Sequence, residues 1–263
     1  MNDHAPATAA LLGRFVTAIA PLVPLVSVWV HGSLAGGDYQ EGRSDLDLIA
    51  VLRLPPTPGQ ERLLAEVHQE LDAAFPLAAK LHCSYAASGE LDDPARDHFT
   101  WAHQETKYRP ITPVTRRELH AFGRVLRGEP PASVLPPIGD AELAAFVVRD
   151  LREFWRPALD HPEWWLEDIW VDLGMLTLAR ATVTLRDGTL VTKRQALAEL
   201  REMRAPAPVV DDIERRRYNS PAPPAPEWPA TRAQLTIAFL VPAIDAVVAR
   251  HSPPARDTPE AHR

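Results

Sequence analysis

The sequence predicts an α+β protein: a mixed β-sheet domain first, then an all-α helical bundle. Three observations carry that expectation. Short runs rich in β-branched or aromatic residues fall at 25–30, 48–52 and 80–86; an amphipathic stretch separates the last two; and from Thr115 onward the apolar periodicity is helical. A helix crossing between strands gives the order of a mixed sheet, and helices joined by short links give a bundle.

Taken in order, residues 7–21 carry a helical stripe of Leu11, Leu12, Phe15, Ile19 and Leu22. Strands follow at 25–30 and 48–52. Pro55-Pro56-Thr57-Pro58 breaks the chain, and Leu63, Leu64, Val67, Leu71 and Phe75 mark a helix over 60–75. Residues 80–86 read as a third strand, and 90–113 as a polar loop. Helices are expected at 116–127, 140–155, 164–185, 193–203, 209–218 and 230–249. A Pro-rich loop at 220–229 and a frayed tail over 252–263 complete the chain. The expected domains are 1–113 and 114–251.

Composition narrows the function classes. The chain has 263 residues, 46% of them hydrophobic, enough for substantial cores. Its net charge of −7, from 28 basic and 35 acidic residues, argues against a nucleic-acid partner. A single cysteine, Cys83, excludes an internal disulfide. No apolar run looks long enough to span a bilayer, and Met1-Asn2-Asp3-His4 lacks a basic start, so a cytoplasmic protein without membrane contact is expected. A monomer is one outcome; the sequence leaves oligomeric state open.

The most informative stretch is His31-Gly32-Ser33 at the end of the first strand, followed by Ser44-Asp45-Leu46-Asp47 opening the second. Residues two apart on a strand share a face, so Asp45 and Asp47 bring two carboxylates together, which is costly unless a cation neutralises them. Mg²⁺ favours one or two carboxylates plus substrate phosphates. Gly32 permits close backbone approach, and Ser33 offers a hydroxyl and an N–H. Phosphate on one side and metal on the other is what phosphoryl or nucleotidyl transfer needs. The same acids could also cap a turn and stay solvated.

These residues resemble the Gly-Ser…Asp-x-Asp signature of the polymerase-β-type nucleotidyltransferases, and within them the aminoglycoside nucleotidyltransferases that adenylylate streptomycin and spectinomycin. The resemblance implies a nucleotidyltransferase domain followed by a helical domain, ATP and Mg²⁺ as cofactors, and phosphate contacts from Gly32, Ser33 and Ser44. It extends to Met175–Arg180 and to Gly188-Thr189-Leu190-Val191-Thr192-Lys193, where Lys193 matches a lysine on the nucleotide phosphates. Independently, a lysine at a helix start works against the helix dipole, which hints at a task other than stability. Tyr218 matches a tyrosine near the nucleotide; it could equally pack at a helix end. Glu118-Leu119-His120-Ala121-Phe122-Gly123 resembles the first helix of the family's second domain.

Two departures stand out. Where the family's third strand carries a catalytic glutamate, this chain has His82; an imidazole could accept the proton, or Glu90 or Asp92 could supply an acid from the next loop. A drug-facing aromatic of the family is Val125 here, and its drug-binding acids do not align. Glu167, Asp168 and Asp172, with Trp165, are instead expected to bind a cationic acceptor through charge pairing and cation–π contact, although a Trp core stripe beside a solvated acid face would look the same. The expected function is Mg-ATP-dependent transfer of AMP to a hydroxyl of an aminoglycoside-like molecule, of the antibiotic-resistance type. The alternatives are another acceptor, or a nucleotide-binding module without turnover.

Overall fold

The computed structural model describes residues 6–219 and 225–251, so the expected tail at 252–263 and part of the Pro-rich loop lie outside the described residues. The chain forms two compact units. Among the described residues, the first comprises 6–143 with 192–194 and 217–219; the second comprises 144–191, 195–216 and 225–251.

The first unit is built on a six-stranded mixed sheet in the order β5-β4-β3-β2-β1-β6. Its strands are β1 (Leu25–Val30), β2 (Leu46–Leu52), β3 (Leu81–Ala87), β4 (Asp97–Ala102), β5 (Glu105–Pro110) and β6 (Arg124–Arg127). Only β2 and β3 run parallel, joined across α3 (Pro58–Ala74) as the helix-between-strands pattern predicts. Thr57 starts α3 with a reciprocal capping box to Gln60, and Pro58 occupies the first turn.

Alternation along the strands divides the core. Leu46, Leu48, Ala50 and Leu52 of β2 pack with Leu11 and Phe15 of α1 (Pro6–Ile19) and Leu64 and Leu71 of α3. The other face gathers Trp29, Ile49, Val51 and Ala86 with Leu119 of α4 (Pro113–Phe122). Asp45, Asp47 and His82 fall on this second face by parity.

Two expectations fail locally. The loop expected over 90–113 contains the β4–β5 hairpin. Its turn residues, His103 and Gln104, both adopt left-handed backbone (φ 55° and 62°) without any glycine, and β5 is a largely exposed edge strand, so neither turn chemistry nor apolar alternation announces it. The helix expected over 116–127 stops at Phe122. Gly123 follows so closely that a Cβ there would lie 2.4 Å from the Leu119 carbonyl oxygen, and 124–127 turns into β6, paired with β1. That pairing carries the first unit to Leu143, past the boundary expected after residue 113.

The second unit is helical. α5 (Pro131–Val134) belongs to the first unit; α6 (Asp140–Asp150) leads through a π-helical turn, Leu151–Trp155, into α7 (Arg156–Ala158). Then come α8 (Asp168–Asp187), α9 (Lys193–Glu202), α10 (Ala207–Tyr218) and α11 (Trp228–His251). Trp165 is wholly buried and lies so close to Gly174 that a Cβ on that glycine would meet its ring at 2.5 Å. Contrary to the sequence expectation, α11 is long and apolar enough to cross a membrane by length and composition. Its Ala233, Thr236, Leu240 and Ile244 are buried within the helical unit.

Candidate active site

The site grows from the end of β1. His31 donates its amide to the Asp47 carbonyl (3.0 Å), and the single-turn helix α2 (Gly32–Gly36) follows. Gly32 has φ +63°, and a Cβ there would come within 2.4 Å of Asp47 Oδ2. Only glycine allows this backbone and this approach. Glu118, buried on α4, accepts from His31 Nδ1 (3.0 Å) and from the Gly32 amide (3.3 Å), fixing the loop from below.

Asp45 and Asp47 project from the start of β2, and His82 stands directly opposite Asp47 in the parallel register. His82 Nδ1 is 3.7 Å from Asp47 Oδ1 and His82 Nε2 is 4.0 Å from Asp45 Oδ1; Lys80 Nζ is 3.8 Å from the same Asp45 oxygen. Burial pushes the Asp47 carboxyl up. The His82 imidazole and the charges of His31, His82 and Lys193 outweigh that and hold it below the ordinary carboxylate range. Burial likewise pulls His31 down, but the bond to Glu118 and the nearby Asp47 and Glu118 charges leave its pKa above 6.5. His82 is buried, and its Nε2 has no hydrogen-bond partner among the described residues. The ring of His103, on the glycine-free turn, meets it edge-on at 4.5 Å.

The donor set suits Mg²⁺. Two carboxylates on one strand face, one of them held ionised, are the hard oxygen ligands this ion takes alongside phosphates. No group of three or more His, Cys, Asp or Glu able to hold a metal occurs among the described residues, so the rest of the shell would come from nucleotide. Cys83 is no competing nucleophile: burial pushes its thiol up to about 12.

The other expected residues divide. Lys193 and Tyr218, distant in sequence, group with the sheet unit. Tyr218 donates its hydroxyl to buried Asp38 (2.8 Å), and burial together with that bond pushes the phenol up to about 12. Ser44 is a correction: it is buried, and its hydroxyl closes a turn by accepting the Gln40 amide (3.1 Å), so it builds the loop instead of facing phosphate. Glu90 is bound to Arg96 (3.1 Å), and it and Asp92 follow the far end of β3, about 17 Å along the strand from His82 at ~3.3 Å per residue.

The acids expected to hold the acceptor lie in the second unit. Asp168 pairs with Arg232; Asp172 pairs with Arg216 (2.7 Å); both arginines also bind buried Asp212 (3.1 Å each). Trp165 donates its indole N–H to the Ala158 carbonyl (3.0 Å) within the core, which removes it as an acceptor contact. Glu167 is the exposed residue before α8. Reading the sequence for site residues missed Glu118, Asp38, Lys80 and His103; a lone glutamate on the apolar side of α4 was the one available signal.

Residues 12–87 match a family model described as a nucleotidyltransferase domain. Among solved structures, the chain is similar to a spectinomycin adenyltransferase from Enterococcus faecialis crystallised with ATP and spectinomycin. The TM-score is 0.70 at 15% identity, covering 90% of this chain and 99% of that one. No curated protein sequence matches. The chain thus carries a nucleotidyltransferase domain within a fold shared with that structure.

Proposed function

We propose, from that nucleotidyltransferase domain as premise, that the protein is an enzyme moving AMP from Mg-ATP to a hydroxyl of an aminoglycoside-like cationic small molecule. The observation that carries this reading is the arrangement of Asp45 and Asp47 on one strand face, with His82 in register beside them and Gly32 pressed against Asp47. The solved neighbour's ATP and spectinomycin support the choice of nucleotide and acceptor class.

In this reading the acceptor oxygen attacks the α-phosphorus of ATP, a new P–O bond forms, and the bond to the bridging oxygen breaks to release pyrophosphate. Asp45 and Asp47 would hold Mg²⁺, which when bound neutralises phosphate charge and polarises the reacting phosphoryl group. Ser33 and the loop backbone orient the phosphates, and Lys193 adds positive charge. His82 takes the acceptor proton on its imidazole. Glu118 keeps His31 and Gly32 in place by accepting from both.

A second reading, nucleotide binding without turnover, draws on the imidazole at the place of a third acid. One assay separates them. With α-labelled ATP, Mg²⁺ and a panel of aminoglycosides including streptomycin and spectinomycin, transfer yields labelled acceptor and stoichiometric pyrophosphate. ATP retained without any labelled product would instead favour the binding module or another acceptor over an aminoglycoside.

A further inference from the structure

We infer that Asp38 is a positioning residue: it seats Lys193 and Tyr218 beside the phosphate loop, so nucleotide affinity depends on a carboxylate that need not touch nucleotide. This rests on the reading above and deepens it.

Asp38 follows Gly37, whose left-handed backbone (φ +81°) ends α2, and its amide donates to the Ser33 carbonyl (3.0 Å). Its side chain therefore moves with the phosphate loop. That side chain is buried, at 6% exposure, where a carboxylate is costly without partners. Its hydrogen-bond and ion-pair partners come from two distant segments. Oδ2 accepts the Arg194 amide (3.0 Å) and the Tyr218 hydroxyl (2.8 Å); Arg194 Nε lies 3.7 Å from Oδ1. The Arg194 guanidinium also covers the Tyr218 ring at 3.8 Å.

Asp38 thus does three things at one point. It accepts one of the amides left free in the first turn of α9, places negative charge where the helix dipole favours it, and offsets the cost of Lys193 at that helix start. Lys193 precedes Arg194, so fixing the Arg194 amide fixes the lysine's backbone, and its charge reaches Asp47. Residues 192–194 and 217–219 are also the two segments beyond residue 143 that group with the sheet unit. Without the carboxylate, the Tyr218 hydroxyl and the Arg194 amide lose their common acceptor, while Asp45, Asp47 and His82 are untouched.

The test measures Mg-ATP affinity by calorimetry, with melting temperature, for wild type, Asp38→Ala, Asp38→Asn, Tyr218→Phe and the double variant Asp38→Ala/Tyr218→Phe. Asp38→Ala is expected to weaken ATP about tenfold, as losing charge-assisted hydrogen bonds implies. Tyr218→Phe should weaken it less, and the double variant should match Asp38→Ala alone, because the two act through one bond. Asp38→Asn keeps the shape and one acceptor oxygen, so it should fold and lose a few-fold. If Asp38→Ala does not fold, Asp38→Asn and Tyr218→Phe decide. Variants that melt lower yet bind ATP as wild type does would reduce Asp38 to a structural residue and overturn the inference alone. A wild-type protein that does not bind Mg-ATP would overturn the functional reading and this inference with it.

Discussion

Two groups of aspartates, one in each unit, have opposite surroundings. In the helical unit, Asp168, Asp172 and Asp212 are met by Arg216 and Arg232, and Asp212 and Arg232 are both almost fully buried. In the sheet unit, Asp45 and Asp47 stay about a third exposed, and their nearest basic atoms, on His82 and Lys80, stand at 3.7 to 4.0 Å. Carboxylates neutralised by close arginines are consumed in holding helices together. Carboxylates gathered on one face with more distant basic partners are, in the reading proposed above, left able to take a cation. Spacing brings acids together in both places; their partners decide what they are for.

The largest expected effect tests the exposed pair. Asp47→Asn should cut transfer by about a thousandfold or more, since it removes a ligand from a site whose chemistry is charge neutralisation. Melting temperature should fall only slightly, because the folded protein favours the ionised Asp47 carboxylate through His82, His31 and Lys193. The arginine-paired group should behave the other way. Arg232→Ala removes one of the arginines on buried Asp212 and leaves Arg216 in place, so it should cost about 1.5–3 kcal/mol in denaturant unfolding of the full chain, as losing a hydrogen bond to a charged group does. Arg232→Ala leaving stability unchanged while abolishing transfer would erase the distinction between the two groups.

A smaller effect sharpens the contrast through pH. Arginine partners do not titrate in the working range, whereas His31 does. Its folded pKa is raised above 6.5, so its contribution to stability is fully present below the unfolded value and is lost as pH rises through the folded one. Unfolding midpoints followed from about pH 6 to about pH 9 should show that loss, and Glu118→Gln should flatten it. An unchanged slope in Glu118→Gln would remove Glu118 as the cause.

What could be read from the sequence follows the same division. Strands β1 to β3 and the nearness of Gly32 to the Asp45–Asp47 pair were legible because each depends on neighbours in sequence or on simple strand alternation, whereas His82 was reached through the family resemblance. The β4–β5 hairpin was not, because His103 and Gln104 turn the chain without glycine and β5 is exposed. β6 was hidden because its residues continue the apolar spacing of α4, and the helix ends only where the Gly123 backbone turns extended (ψ 138°). Ser44, Trp165 and the acids of α8 were assigned by residue type, while their places depend on Gln40, Ala158, Arg216 and Arg232, partners supplied by folding. Tyr218 was reached only through family resemblance, and Lys193 through that and its unfavourable place at a helix start; Asp38, which binds Tyr218 and caps the helix that Lys193 begins, carried no local mark.

The most direct test of the exposed pair is Mn²⁺ binding, followed by electron paramagnetic resonance in the presence of ATP, with Mn²⁺ standing in for Mg²⁺. Wild type should take up Mn²⁺ in an ATP-dependent manner, and Asp45→Asn and Asp47→Asn should each lose most of that uptake while Asp168→Asn keeps it. Equal Mn²⁺ uptake by wild type and Asp47→Asn would contradict the assignment of these two carboxylates to a metal.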